Sequence, residues 1–215
     1  NEVKNEICGK IIVATDQEEV VRMNNLYERG VQNGLKGIKK LGKEALSDHE
    51  PHVTGMAGLY VPQTGIIDFT EVSLKMHELL EAGGVEFGFR EPVRKLIREK
   101  AGIRVISEKK EYDARLVVNC AGLHSDKVAR LTQPGIPVKI VPFRGEYYKI
   151  RASRSHLVRN LIYPVPDPAF PFLGVHFTRM IHGGIEAGPN AVLAFAREGY
   201  KKTDVNLAEL GETLL

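Results

Sequence analysis

The chain has 215 residues, 43% of them apolar and 27% charged, enough for one large domain or two small ones of ordinary globular mixture. Its formal net charge is +3, with 30 basic residues interleaved among 27 acidic ones. The basic pairs at Lys39, Lys109 and Lys201 are too short to track a phosphate backbone, which argues against a nucleic-acid partner.

In chain order, KIIVAT (10–15) reads as a buried strand. Asp16 offers a helix N-cap, and Glu18 and Glu19 suit the helix dipole. The spacing of Val20, Val21, Leu26 and Val31 predicts a helix to about Gly34. Residues 35–58 read as connection, apart from a short helix near 43–46. LYVP (59–62) reads as a strand and QTG (63–65) as a turn. Asp68 or Thr70 could cap a helix running through Val72, Met76, Leu79 and Leu80 to Gly83 and Gly84. VEFGF (85–89), VRKLIRE (93–99) and GIRVISEK (102–109) alternate like strands. LVVNC (116–120) is nearly all apolar, the pattern of a strand covered on both faces, and a helix at 124–131 follows it. Beyond Pro137, five segments separated by turns predict an antiparallel meander, before a last helix over 203–215.

The fold class expected from this order is α/β (α+β). A partial Rossmann-like layer is intertwined with a mixed, largely antiparallel sheet.

Several local motifs invite a chemical reading. GIKKLGKE (37–44) has the spacing of a phosphate loop, but Glu44 stands where Ser or Thr would be needed, so no nucleotide site is expected there. In NCAGLHSD (119–126), Ala121 and Gly122 would let a ligand approach the backbone at the carboxyl edge of a sheet, although any αβ turn can carry a glycine. In LGVHFT (173–178), alternation sets His176 and Thr178 on the face opposite Val175 and Phe177, facing solvent or a cavity. Arg144 could clamp a carboxylate bidentately or pair with Glu146 on a surface strand. Prolines at 164, 166, 168 and 171 impose a stiff, irregular connection that could wall a site or guard a sheet edge.

Cys8 and Cys120 belong to no ligand cluster, and the seven histidines show no HExxH spacing, so neither a metal nor a disulfide framework is expected. No run approaches the roughly 18 apolar residues of a membrane span. No signal segment is visible, so the expected location is cytoplasmic. A pI near 8.8 permits peripheral attachment to the inner membrane. Opening on Asn1 and closing on a helical GETLL, the sequence is expected to be a piece of a longer protein.

Seven stretches together resemble one family: EPHV (50–53), VPQTGIID (61–68), NCAGLHSD (119–126), IVPFRGEYY (140–148), YPVPDP (163–168), LGVHFTR (173–179) and GPNAVLAFAREGY (188–200). They are similar to the L-2-hydroxyglutarate oxidase/dehydrogenase family of the FAD-dependent D-amino-acid-oxidase-like (DAO) superfamily. The resemblance implies FAD in the full-length parent. This chain lacks the GxGxxG loop that seats a pyrophosphate, so alone it is expected to hold no FAD and to be inactive.

The resemblance divides the chain into substrate-domain segments over 1–63 and 135–215 and a partial FAD-binding segment over 64–134. It places Val93, Ala121, Gly122 and Gly145 at the cofactor. Tyr163, Arg179 and Asn190, with Arg144, are placed at a small dicarboxylate substrate. The implied reaction oxidises L-2-hydroxyglutarate to 2-oxoglutarate, with hydride passing from C2 to flavin N5. The base is assigned to His176, with His182 as runner-up, because imidazole titrates near neutrality. Oxygen or a quinone would accept the electrons. Two alternatives stand beside this reading: an amino-acid or amine oxidase of the superfamily, and a flavin-free binding module.

Overall fold

In the computed structural model, which describes residues 3–170, 172 and 174–214, the chain forms two compact units. One is built from the residues up to Gly83 and from Gly145–Ala191, the other from Gly84–Arg144 and from Val192 onward. These boundaries fall at other places than the segment breaks at 63/64 and 134/135 expected from the resemblance. Pro171 of the proline-rich connection lies outside the described residues, as do Leu173 and Leu215 at the edges of expected elements.

The elements run, in chain order, β1 (Asn5–Glu6), β2 (Lys10–Ala14), α1 (Gln17–Gln32), β3 (Lys39–Gly42), α2 (Lys43–His49), β4 (Ala57–Val61), β5 (Ile66–Ile67) and α3 (Phe69–Ala82). They continue through β6 (Val93–Glu99), β7 (Gly102–Ser107), β8 (Glu111–Ala114), α4 (Ser125–Arg130) and β9 (Phe143–Lys149). The last are β10 (Leu161–Pro164), β11 (His176–Arg179), β12 (Ile185–Leu193) and α5 (Leu207–Leu214).

The first unit is organised on a seven-stranded mixed sheet of order β3-β4-β2-β10-β11-β12-β9. Beyond the half-buried Lys10, both faces of β2 are covered, which is why Ile11–Ala14 is an unbroken apolar run. Ile11 and Val13 join Leu41, Leu46, Ile162 and Ile185 in one core layer. Ala14 joins Met23 of α1, Leu59 and Val165 in the other, with Ile12 packed alongside. Burying side chains of this size stabilises the fold by about 1.5–3 kcal/mol each. The caps read from sequence are present: Asp16 accepts from the Glu19 N–H at 2.8 Å. Asp68 accepts from the Thr70 and Glu71 N–H groups at 2.8 and 3.1 Å.

One pairing has no local signature. β10 lies parallel to β2, with Leu161 against Lys10 and Pro164 against Val13, so the late meander is stitched into the middle of the early sheet. Glu50 fixes this junction. Its fully buried carboxylate accepts from the backbone N–H groups of Arg159 (3.0 Å) and Asn160 (2.5 Å) and from Asn160 Nδ2 (2.8 Å). Those donors supply what water would otherwise give a buried anion.

The second unit holds an antiparallel sheet, β6-β7-β8. Two sequence readings are corrected here. Residues 85–89 are irregular rather than a strand, and Phe87 and Phe89 stack on each other at 5.9 Å. Residues 116–120 are not a covered strand either. No described strand pairs with them, and Leu116 and Val118 are 76% and 74% exposed. An apolar run predicts burial only where partner strands supply its backbone hydrogen bonds. Beyond it, a 3₁₀ turn over Gly122–His124 leads into α4.

Among the described residues, no helix is long and apolar enough to cross a membrane.

Candidate active site

The face of the first unit's sheet that α1 partly covers carries the site. Ile162 pairs with Phe177 in antiparallel register, so Tyr163 stands directly across from His176 on the opposite face from Phe177. Their rings stack, with centroids 4.1 Å apart and planes inclined by 17°. Of the two alternatives the sequence left for His176, solvent is the wrong one: it is 5% exposed.

Its tautomer follows from geometry. His176 Nδ1 lies 2.9 Å from the Gly174 carbonyl, and a carbonyl only accepts, so Nδ1 carries the hydrogen. In the neutral ring the lone pair is therefore at Nε2. The row continues on either side. His176 is paired with Gly188 of β12, where a Cβ would meet the Tyr147 ring at 2.7 Å. The missing side chain makes room for that aromatic. Burial chiefly, then Glu186 and Tyr163, raises the Tyr147 hydroxyl above its ordinary value. On the far side of Tyr163, Lys10 holds its ammonium 4.4 Å from the ring centroid.

The same unit holds a cavity of about 680 Å³, whose lining does not include Lys10, Tyr163 or His176; its size is within the range of ligand pockets. Pro164 and Val175, the sequence neighbours of Tyr163 and His176, line it with Glu19, Asp167, Phe170 and Asn190. The proline-rich connection thus walls a concave site, one of the two roles its stiffness allowed.

The other expected site residues have different surroundings. Arg179 lies on the sheet face opposite His176. It pairs with Glu6 Oε1 at 2.9 Å and donates to the Arg159 carbonyl at 3.1 Å. His182 follows β11 and meets Asp68 Oδ2 at 2.5 Å. The hydrogen bond from His182, then that from the Glu71 N–H, holds the Asp68 carboxyl below the usual range. Potential metal-ligating atoms of Asp68, Glu71 and His182 lie within 4.8 Å of one another. Their carboxylates are engaged by the Thr70, Glu71 and Lys4 N–H groups. Gly145 begins the first unit's part of β9.

In the second unit, Arg144 donates to the carbonyls of Gly199 (3.1 Å) and Lys201 (3.2 Å). Val93 borders a hollow of about 230 Å³ with Glu91, Ser107 and Tyr112. Ala121 and Gly122 form an exposed turn; Gly122 has φ +53°, and a Cβ there would meet nothing within 4 Å.

That turn is held by a pair of residues, one of which, Asp126, the sequence offers only as a helix cap. Asp126 and Arg197, both 5% exposed, form a bidentate pair at 2.5 and 2.8 Å. Arg197 Nη1 also donates to the Leu123 carbonyl at 2.7 Å. The signal was an aspartate in the first turn of α4; its partner lies 71 positions away, beyond the reach of local pattern.

A mixed sheet carrying a buried histidine held in one tautomer, and a separate turn of small residues, fit a dinucleotide-dependent oxidoreductase fold. The chain belongs to the DAO family of FAD-dependent oxidoreductases, whose pattern matches residues 2–214. It is 52% identical to the L-2-hydroxyglutarate dehydrogenase of Indibacter alkaliphilus, over 97% of this chain and 53% of that protein. The enzyme of the same name from Escherichia coli K12 is 40% identical over 100% of this chain and 51% of its own length. The chain spans about half the length of the curated relatives it matches. Among solved structures, the FAD-bound L-alpha-glycerophosphate oxidase of Mycoplasma pneumoniae superposes with a TM-score of 0.79 at 21% identity. That match covers 98% of this chain and 57% of the other. It shows the shared fold.

The residues present fit one wall of the family's cofactor. The open backbone at Gly122 leaves space where a side chain would stand, and the adjoining Leu116 and Val118 present uncovered apolar surface.

Proposed function

We propose that the complete protein oxidises L-2-hydroxyglutarate to 2-oxoglutarate, with His176 taking the hydroxyl proton. The observation that carries this reading is the fixed tautomer of His176: Nδ1–H is committed to the Gly174 carbonyl, and Nε2 is the atom able to accept a proton. Relatives bearing the dehydrogenase name at 40–52% identity over nearly the whole chain support the substrate.

In this reading Val93, Ala121, Gly122 and Gly145 are the residues that the resemblance assigns to FAD. The bound cofactor supplies the acceptor for the hydride that leaves C2. His176 receives the proton as the C2–O bond becomes a carbonyl, and the Tyr163 ring keeps the imidazole in plane. Asn190 on the cavity wall orients the substrate. Arg144 and Arg179 are the arginines the resemblance names for its carboxylates, although Arg179 is engaged by Glu6 on the opposite face and Arg144 by the Gly199 and Lys201 carbonyls; His182 is the second candidate base. The same proposal takes oxygen or a quinone as electron acceptor and a cytoplasmic location, peripheral to the inner membrane where it is membrane-associated.

Anaerobic stopped-flow of the full-length, flavin-loaded protein tests the reading. L-2-hydroxyglutarate should bleach the flavin, and His176→Ala should slow that reduction by about a hundredfold or more. A loss under about tenfold removes His176 from the role of base. Reduction by amino acids in place of the hydroxy acid would reassign the substrate to an amine.

A further inference from the structure

A dicarboxylate needs a cation on the same face as the base, and Arg179 does not meet that need, since it lies on the opposite face and is paired with Glu6. Lys10 does. β2 and β11 flank β10 on either side, so the Tyr163 ring has Lys10 on one side, 4.4 Å from its centroid, and His176 on the other, at 4.1 Å. The Lys10 side chain is half-buried, and among the described residues no carboxylate pairs with its ammonium. Burial alone displaces its titration, downward. A partly desolvated cation held only by an aromatic face gains from an anion brought to it.

We propose that Lys10 anchors the distal carboxylate of the hydroxy acid, with the Tyr163 ring as the spacer that sets its distance from the base. The proposal rests on the hydroxy-acid reading above and deepens it. In L-2-hydroxyglutarate, two methylenes separate the distal carboxylate from C2. One end of that chain meets Lys10 while the C2 hydroxyl reaches His176 Nε2 across one ring's breadth. A monocarboxylic 2-hydroxy acid has nothing to place at Lys10. Lys10 is therefore a specificity-determining residue, and Tyr163 a positioning one.

The test uses the full-length, flavin-loaded protein and two unreactive acids, glutarate and butyrate, titrated against the flavin absorbance. Lys10→Met should weaken glutarate by about tenfold to a hundredfold, the worth of a hydrogen bond to a charged group, and Lys10→Arg should restore most of it. Butyrate should change by less than about twofold in either variant, since it never meets the ammonium. In the wild type, glutarate but not butyrate should protect Lys10 from acetylation by acetic anhydride, read by mass spectrometry. That measurement needs no variant to fold.

Unchanged glutarate affinity in Lys10→Met, equal losses for both acids, or no protection of Lys10 would each overturn the anchor. Wild-type turnover of L-2-hydroxyglutarate reads the underlying reaction separately. Turnover with a Lys10-independent glutarate site sinks the anchor alone. Lys10-dependent glutarate binding without turnover sinks the reaction alone.

Discussion

Replacing Asp126 by Asn isolates the largest single electrostatic commitment in the second unit. The carboxylate accepts from Arg197 Nη1 and Nη2 at 2.5 and 2.8 Å, from Arg130 Nη1 at 3.0 Å, and from the Lys127 and Ile140 N–H groups at 2.8 and 3.2 Å. An asparagine amide keeps one acceptor oxygen and turns two hydrogens toward guanidinium donors. Arg197, 5% exposed, then loses its bidentate anion and keeps the half-exposed Glu212 carboxylate, 3.8 Å from Nη2. Breaking one side of such a pair costs about 3–5 kcal/mol. In a urea titration of the full-length protein followed by far-UV circular dichroism, the midpoint should fall by about 1 M or more at unchanged slope.

Removing both charges in Asp126→Leu with Arg197→Met should recover much of that loss, because neither group is then left unpaired. The pH dependence has a definite sign. Arg197 first, with the Ile140 N–H and Arg130, holds the Asp126 carboxyl far below its ordinary 3.8. The pair's contribution is therefore complete above the unfolded value and drains away as pH falls through the folded one. Asp126→Asn should flatten that acid limb. A penalty under about 1 kcal/mol, or an acid limb identical to the wild type, would refute the assignment of a stabilising buried pair.

Gly188→Ala should displace the Tyr147 ring, because the new Cβ would meet it at 2.7 Å and the Glu146 carbonyl at 2.8 Å. A loss of about 1–3 kcal/mol in thermal unfolding is expected. Asp16→Ala removes the cap from the Glu19 N–H and should cost about 1 kcal/mol, with Asp16→Ser nearly neutral by the same measurement. Gly122→Val strains a backbone at φ +53°. In the full-length protein it should lower the flavin-to-protein absorbance ratio more than it lowers the unfolding temperature of the flavin-free form.

What could be read from the sequence was what neighbours in the chain decide among themselves. Asp16 and Asp68 cap the helices they were expected to cap, because a side-chain oxygen and the N–H groups two or three residues on meet whatever the rest of the fold does. The alternation around His176 assigned its face correctly for the same reason. It could not say what that face meets, since Tyr163 reaches His176 only through the β10–β11 register. The apolar run 116–120 failed in the opposite direction: its composition reported how much surface wants cover, and composition is silent on whether a partner strand is at hand.

Lys10 shows most clearly why the site was harder to read than the fold. In sequence it is the polar first residue of a buried strand, and no local motif marks it. Its meaning depends on β10 lying parallel to β2, a long-range pairing that brings a residue near the start of the chain beside two from its last third. The family resemblance did not reach it either, because LGVHFTR and YPVPDP name His176 and Tyr163 and leave the third member of the row unmarked. A cation–ring–imidazole row exists only as cross-strand neighbours on one face of a sheet. Its chemistry belongs to the strand order, and a side chain with an ordinary local context becomes a ligand-binding group when that order leaves its charge without a counterpart.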